Sequence, residues 1–231
     1  LYGLAIAGVV NLRTLPAQKN KITIGQDFLA GSFGLRRYTS RVRVGTEKSS
    51  LLVSYGKQFY NGFMSHTASH KDFVNVISET KINRKQRVSM YLGFSDSYDE
   101  RNGELTIGQY DTLNYSGNAN YIKNNAHSDV TSIRAGFEHT YQFNRHLSNS
   151  TSVFGTGISS NVSSAGGWTD KNPLNYGFRS TFDTRFNLSR HTILTSVTGL
   201  EMQQQEALTV GYAMVSDSTN LSGYNLVGAM R

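Results

Sequence analysis

The sequence has no cysteine, only two prolines and no long apolar run. Without cysteine the chain has no disulfide bonds, no thiolate metal ligands and no cysteine nucleophile. No apolar stretch approaches the roughly 20 residues that a membrane-spanning helix needs. The scarcity of proline, together with many Tyr, Phe, Thr, Ser and Val residues, favours strands over helices throughout.

The chain also lacks a concentrated patch of one charge. Its formal net charge is +7, but the basic residues are scattered singly through the predicted strands and turns. We therefore expect no nucleic-acid partner. Only 38% of the residues are hydrophobic, which does not exclude a membrane barrel, because the strands of such a barrel expose apolar residues only at every second position.

Period-two alternation predicts about nine antiparallel strands, near residues 21–30, 35–46, 50–59, 72–81, 86–95, 132–143, 147–157, 175–188 and 191–204. The clearest is 176–186, where one face carries Tyr176, Phe178, Phe182 and Phe186. The other face carries charged residues. Each segment has about the ten residues that a tilted strand needs to cross a bilayer.

Charged residues alternate with apolar ones in several of these strands. Arg37, Arg41 and Arg43 share one face of the second strand, and that face cannot be a dry core, because each buried unpaired charge would cost several kcal/mol. The same alternation defines a set of side chains that we expect to line an aqueous lumen: Arg37, Arg41, Arg43, Arg134, Glu138, Arg179, Asp183 and Arg185.

The connections between the predicted strands alternate in length. Tight polar turns are predicted at 47–49, 83–85, 144–146 and 189–191, and long loops at 60–71, 96–131 and 158–174, with one short outer connection at 31–34. Outer-membrane barrels sort their connections in this way, with short periplasmic turns and long external loops. The predicted fold class is all-β, an antiparallel up-and-down meander that forms part of a transmembrane β-barrel. A secreted sandwich or solenoid, with the apolar face packed on a second layer, is the alternative.

The first residues carry a motif. Tyr2 and Gly3, followed by Gly8-Val9-Val10-Asn11 and Thr14, resemble the end of the plug domain of TonB-dependent outer-membrane receptors. The segment from Gly31 to Gly34, followed by Arg36 and Arg37, is similar to the first extracellular turn of those receptors. The resemblance implies that residues 1–14 are the C-terminal end of a plug and residues 15–231 the N-terminal part of a barrel.

The chain is accordingly expected to be a fragment of a longer product. It opens without an initiator Met or a signal peptide, and the segment 203–231 is expected to run into a loop without a closing strand. A partial barrel wall would leave two unpaired strand edges. We therefore expect that it is not stable alone as an open sheet.

The family resemblance also implies a function. Such receptors lie in the outer membrane of Gram-negative bacteria, in contact with its lipid, and take up a small-molecule nutrient such as a ferric siderophore, another metal complex or an oligosaccharide. A TonB-type energy-transducing complex is expected to act on an N-terminal region that is missing from this sequence. A passive porin or adhesin barrel and a secreted carbohydrate-binding β module are the alternatives.

The predicted outer loops contain the candidate ligand contacts: Tyr60, Phe63, His66, His70, Tyr110, Tyr115 and Trp168. A tyrosine ring offers a flat apolar surface and a hydroxyl at low entropic cost. The same aromatic residues would also suit an interfacial girdle or a loop core. His66 and His70 are four residues apart, a spacing that converges on a metal only in a helix, so no metal site is predicted.

An enzymatic function is not expected. The sequence has no Gly-x-Ser-x-Gly, paired-carboxylate, His-Glu-x-x-His or phosphate-loop pattern. His139 follows Glu138 directly, but neighbouring residues of a strand point to opposite faces, so this carboxylate cannot orient the imidazole. The sequence predicts no catalytic residue and no cofactor.

Overall fold

A computed structural model of the chain describes residues 14, 16–189, 192–214 and 224–230. Within these residues the chain forms one antiparallel sheet of ten strands that follow each other in sequence order, with β1 and β10 at its two edges. Over these described residues the sheet does not close into a barrel. The prediction of an all-β meander is confirmed.

The strands are β1 Lys21–Ala30, β2 Arg36–Gly45, β3 Ser49–Tyr60, β4 Ser69–Lys81, β5 Gln86–Glu100, β6 His127–Asn144, β7 Leu147–Ser163, β8 Gly167–Asn187, β9 Ile193–Met214 and β10 Tyr224–Met230. Two helices of five residues each, α1 Ile107–Asp111 and α2 Ala119–Lys123, lie between β5 and β6. In the described part of the chain neither helix is long and apolar enough to span a membrane.

The register of the sheet separates an apolar face from a polar face. Residues that pair across neighbouring strands point to the same side of the sheet. One such row on the apolar face consists of Tyr55, Val74, Phe94 and Ile133, on β3 to β6. The next row on that face, two residues nearer the long loops, consists of Lys57, Asp72, Asp96 and Thr131. The apolar surface therefore ends abruptly across four strands.

No second layer covers the apolar face in the described part of the chain. Phe178, Phe182 and Phe186 are 36%, 43% and 46% exposed. The single buried hydrophobic residue among the described ones is Ala126, which lies in a loop. A sandwich would have sealed the three phenylalanines against another sheet, so the structure does not fit the alternative of a secreted sandwich.

The sheet differs from the prediction mainly in strand length. Strand β7 continues to Ser163 and β8 begins at Gly167, so the predicted long loop at 158–174 is a three-residue connection. The predicted loops 60–71 and 96–131 are likewise shorter, because β3 ends at Tyr60, β4 begins at Ser69, β5 ends at Glu100 and β6 begins at His127. These extensions are mainly polar, so their composition resembles that of a loop although their backbones remain paired.

Two further expectations concern the ends of the chain. The segment 203–231 was expected to run into a loop without a closing strand. Residues 203–214 instead continue β9, and β10 pairs with this part of β9, for example Met230 with Thr209. The expected loop is wrong for these residues, whereas β10 is an edge strand and does not close the sheet among the described residues. The plug-like motif at 1–13 and part of the turn predicted at 189–191 lie outside the described residues.

The 26-residue connection between β5 and β6, residues 101–126, is folded rather than irregular. Thr106 caps α1 through a capping box with Gln109, and Asn118 caps α2. Asn102 is buried, and its carbonyl accepts a hydrogen bond from the Asn118 amide at 2.7 Å. Gly117 adopts a φ of +79°, and a Cβ there would meet Asn102.

A histidine clasp joins this connection to the loop 61–68. His66 Nε2 lies 2.7 Å from the carbonyl oxygen of Ala126, and because a carbonyl only accepts, this nitrogen carries the hydrogen. His66 Nδ1 lies 3.7 Å from Glu100 Oε2, and the same carboxylate oxygen accepts from the Ala68 amide at 2.9 Å. The two loops are therefore held together across sixty residues of sequence.

The close approach of strands at Gly177 gives a first test of the sheet. A Cβ at this position would lie 2.6 Å from the ring of Phe154 and 2.8 Å from the carbonyl oxygen of Met202. We expect Gly177→Val to destabilise the folded protein by about 1–3 kcal/mol through overpacking. Urea unfolding of the full-length protein measures this. Gly136→Val is the control, since a Cβ there meets nothing within 4 Å, and equal stability of the two variants would contradict the packing.

The clasp gives a second test. We expect His66→Ala to remove one hydrogen bond worth about 0.5–1.5 kcal/mol and to speed amide exchange within residues 101–126 by about two-fold to ten-fold. Hydrogen–deuterium exchange followed by mass spectrometry measures the change. His139→Ala, which alters a histidine near the other end of β6 and away from the clasp, serves as the control. An unchanged exchange pattern in His66→Ala would show that the clasp does not hold these loops.

Candidate functional site

The candidate ligand contacts from the sequence fall into separate groups. Phe63 stands between Phe33 and Tyr115, with ring centroids 5.1 Å and 4.9 Å away. This group connects the first outer turn to both longer loops. Two of its members, Phe63 and Tyr115, were predicted, and Phe33 was missed although it lies in the recognised turn at 31–34.

A second group forms a ladder of rings across β4, β5, β6 and β8. His70 stacks on Tyr98 at 5.4 Å, Tyr98 stacks on His127 at 5.1 Å, and His127 meets the edge of Trp168 at 5.7 Å. All four side chains project from the apolar face, beyond the row at which that face turns polar. The ladder therefore lies on the same side of the sheet as the apolar rows, beyond their end, rather than on the polar face.

Three members of the ladder have further interactions with their surroundings. Trp168 Nε1 donates to Asp170 Oδ1 at 2.8 Å, and the His127 amide donates to Ser163 Oγ at 2.8 Å. Burial raises the pKa of the Tyr98 phenol, with the nearby carboxylates of Glu100 and Asp129 raising the pKa further. Tyr98 therefore keeps its proton to a higher pH than an ordinary tyrosine.

The other predicted contacts lie apart from both groups. His66 is part of the clasp, and Tyr60 is the last residue of β3. Tyr110 lies on α1 and is 67% exposed. His70 and Trp168 were expected in loops but are strand residues. In the described residues no three His, Asp or Glu side chains are placed to hold a metal ion.

The polar face carries the charged residues that the sequence placed together. Arg41 pairs with Asp27, and Arg179 Nη2 lies 2.7 Å from Glu201 Oε2. Each of these pairs joins neighbouring strands directly, β1 to β2 and β8 to β9. The remaining predicted members lie on the same face by register and alternation: Arg37, Arg43, Arg134, Glu138, Asp183 and Arg185.

A cleft of about 430 Å³ opens on this face near the long-loop end of β2 to β6. Its lining contains three cationic side chains, neutral hydrogen-bonding groups and two phenylalanines, provided by Arg37, Gln58, Lys71, Phe73, Asn75, Tyr91, Gly93, Phe94, Ser95, Ser132 and Arg134. Tyr91 donates to Asn75 Oδ1 at 3.0 Å, and Ser95 and Ser132 share a hydrogen bond of 2.9 Å. The ring of Phe73 covers Gly56, where a Cβ would collide with it.

Sequence reasoning identified two residues of this cleft, Arg37 and Arg134, and missed the others. Lys71 was assigned to a loop because the predicted strand began at residue 72, whereas β4 begins at Ser69. Extending the alternation by three residues would have placed Lys71 on the same face as Phe73 and Asn75. The juxtaposition of Arg37, Lys71 and Arg134 depends on the register of five strands, which the sequence alone does not provide.

No protein-family model matches the chain, and no curated protein matches it. Solved structures do. The chain is similar to the ferric citrate transporter FecA in its unliganded form, with 13% identity, a TM-score of 0.72 and coverage of 90% of this chain and 32% of that chain. It is also similar to the siderophore receptor PiuA from Acinetobacter baumannii, with 7% identity, a TM-score of 0.67 and coverage of 92% and 34%.

A third similar structure is the RagAB peptide importer in its closed-closed state, with 14% identity, a TM-score of 0.59 and coverage of 81% of this chain and 26% of that chain. The chain thus spans about a third or less of the length of each. These proteins are transporters and receptors rather than enzymes, in agreement with the sequence-based expectation. At these identities the likeness concerns the fold: the chain has the fold of part of a barrel receptor, which confirms the resemblance to TonB-dependent receptors at that level.

Proposed function

We propose that this chain forms part of the wall of an outer-membrane barrel that takes up a nutrient by TonB-dependent transport. The observation that carries the proposal is the abrupt end of the apolar face, where the row through Phe94 gives way to the row through Asp96. An apolar side chain such as Phe gains about 1.5–3 kcal/mol when it leaves water. Lipid tails would remove the exposed phenylalanines from water, and the charged row would lie at the membrane surface.

The polar face supports a water-filled bore on the other side of the wall. Arg41 and Arg179 each have a carboxylate partner on a neighbouring strand. Charged residues on the inside of such a barrel contact water and the plug. A small-molecule nutrient, such as a ferric siderophore, another metal complex or an oligosaccharide, would enter from the long-loop end and meet the polar face.

Energy coupling enters the proposal through the family resemblance. No residue of the described strands is assigned to contact with a TonB-type complex. The aromatic group of Phe33, Phe63 and Tyr115 lies at the long-loop end, where a ligand would first arrive, and we propose it as an entry contact. The ladder that ends at Trp168 faces outward, so we assign it to the membrane surface rather than to ligand capture.

The membrane location has a direct test in a pair of arginine substitutions on β5. Leu92 lies on the apolar face and is 44% exposed. We expect Leu92→Arg to cost about 2–4 kcal/mol at a lipid-facing position and to reduce the amount of folded protein in outer membranes. The amount is measured by membrane fractionation and by the change of gel mobility on heating.

Ser89→Arg is the matched control, because Ser89 lies on the polar face opposite Glu79 and Glu138. An arginine there gains two nearby carboxylates, so we expect normal assembly. A freely soluble full-length protein, or equal assembly of both variants at the wild-type level, would contradict the membrane location.

Transport itself is tested by deleting the gene and measuring growth on defined iron, copper and glycan sources. We expect loss of growth on one of these, restored by the wild-type gene and abolished again when the TonB-type complex is inactivated. Restored growth that does not depend on that complex would favour a passive porin over a gated receptor. Unimpaired growth of the deletion strain on every source would count against nutrient uptake.

A further inference from the structure

We propose that the cleft between Arg37, Lys71 and Arg134 binds an anionic group, a carboxylate or a phosphate, of the imported ligand. The inference rests on the proposed transport function and adds to it the chemical class of the substrate. It starts from an imbalance of charge. The lining of the cleft contains these three cations and no carboxylate.

Two other arginines of the polar face have a carboxylate partner on a neighbouring strand: Arg41 pairs with Asp27 and Arg179 pairs with Glu201. None of the three cleft cations forms an ion pair with any residue that the structure describes. Three like charges gathered without a counter-charge repel each other, and an anion that binds among them relieves that repulsion.

The neutral groups of the cleft are suited to the same task. Asn75 Oδ1 already accepts a hydrogen bond from the Tyr91 hydroxyl at 3.0 Å, so the two N–H donors of that amide remain for another acceptor. Gln58 contributes a second amide. Guanidinium, ammonium and amide groups together provide donors for the several lone pairs of a carboxylate or phosphate.

The location of the cleft matches the route of an entering ligand. Arg37 is the second residue of β2 and Lys71 the third residue of β4, both next to the long-loop end. A bore with low-dielectric walls focuses the field of such cations and raises the local concentration of anions. An anionic ligand would therefore meet the cleft soon after it passes the outer loops.

The experiment uses the full-length protein purified from outer membranes, with citrate, pyrophosphate and the neutral sugar maltohexaose as probes in isothermal titration calorimetry. We expect citrate or pyrophosphate to bind, and maltohexaose not to compete. Arg37→Gln and Arg134→Gln should each weaken the binding by about ten-fold to a hundred-fold, the range for hydrogen bonds to a charged group. The anion that binds with the higher affinity shows whether the cleft is a carboxylate site or a phosphate site.

Arg36→Gln is the matched control. Arg36 precedes Arg37 on β2 but projects from the opposite face, over the ring of Phe59 at 5.2 Å. The substitution removes the same charge from the protein without touching the cleft, so we expect unchanged affinity. If Arg36→Gln and Arg37→Gln weaken anion binding equally, the effect comes from net charge alone and the proposed site is wrong.

Two other outcomes would overturn the proposal. Wild-type protein that binds neither anion has no anion site here. The second outcome is that Arg37→Gln and Arg134→Gln lower the resistance to urea unfolding but leave anion affinity unchanged. In that case the cleft binds an acidic segment of the protein itself. Neither result would affect the transport function, which is decided separately by the growth and fractionation experiments.

Discussion

The structure depends on a continuous antiparallel register. Each residue of β3, β4 and β5 has a defined partner on the following strand, and a slip of one residue in any strand would move all of its side chains to the opposite face. Such a slip in β5 would place Leu92 among the charged residues and Arg87 among the apolar ones. The separation of the two faces, the charged row that ends the apolar surface and the cleft all follow from this register.

The apolar face contains polar side chains, and several of these form hydrogen bonds with one another or with the backbone. Ser40 donates to Gln26 Oε1 at 2.8 Å, and Tyr38 bonds to Ser40. Asn149 Nδ2 donates both to Ser180 Oγ and to a backbone carbonyl at 3.0 Å. In an apolar surrounding a polar group without a partner would cost several kcal/mol. Local pairing across strands therefore lets a mixed sequence form an apolar surface.

The sequence predicted well which residues alternate between the two faces of the sheet, but it predicted poorly how long the strands are. The faces of Phe178 and Arg179, and the tight turns near Lys48 and Arg84, follow from local patterns that one strand or turn carries by itself. The outer halves of β7 and β8 were missed because hydropathy marks a strand only where one face is apolar. Helix α1 was missed although its capping box, Thr106 and Gln109, is visible in the sequence.

The candidate site depended more on contacts that are distant in sequence. The pairing of His66 with the carbonyl of Ala126 joins residues sixty positions apart, and the three cations of the cleft come from β2, β4 and β6. Composition gave the right residue types, including the aromatic residues Phe63 and Tyr115. It did not separate side chains that meet at the loop end from those, such as Trp168, that project from the apolar side of the sheet.

The histidine clasp has a mechanical consequence for the long-loop end. Because His66 and Glu100 tie the two loops to each other, a force applied to one loop is transmitted to the other. Any displacement of one loop therefore has to be accommodated by the other, and so at the ends of β3, β4, β5 and β6 together.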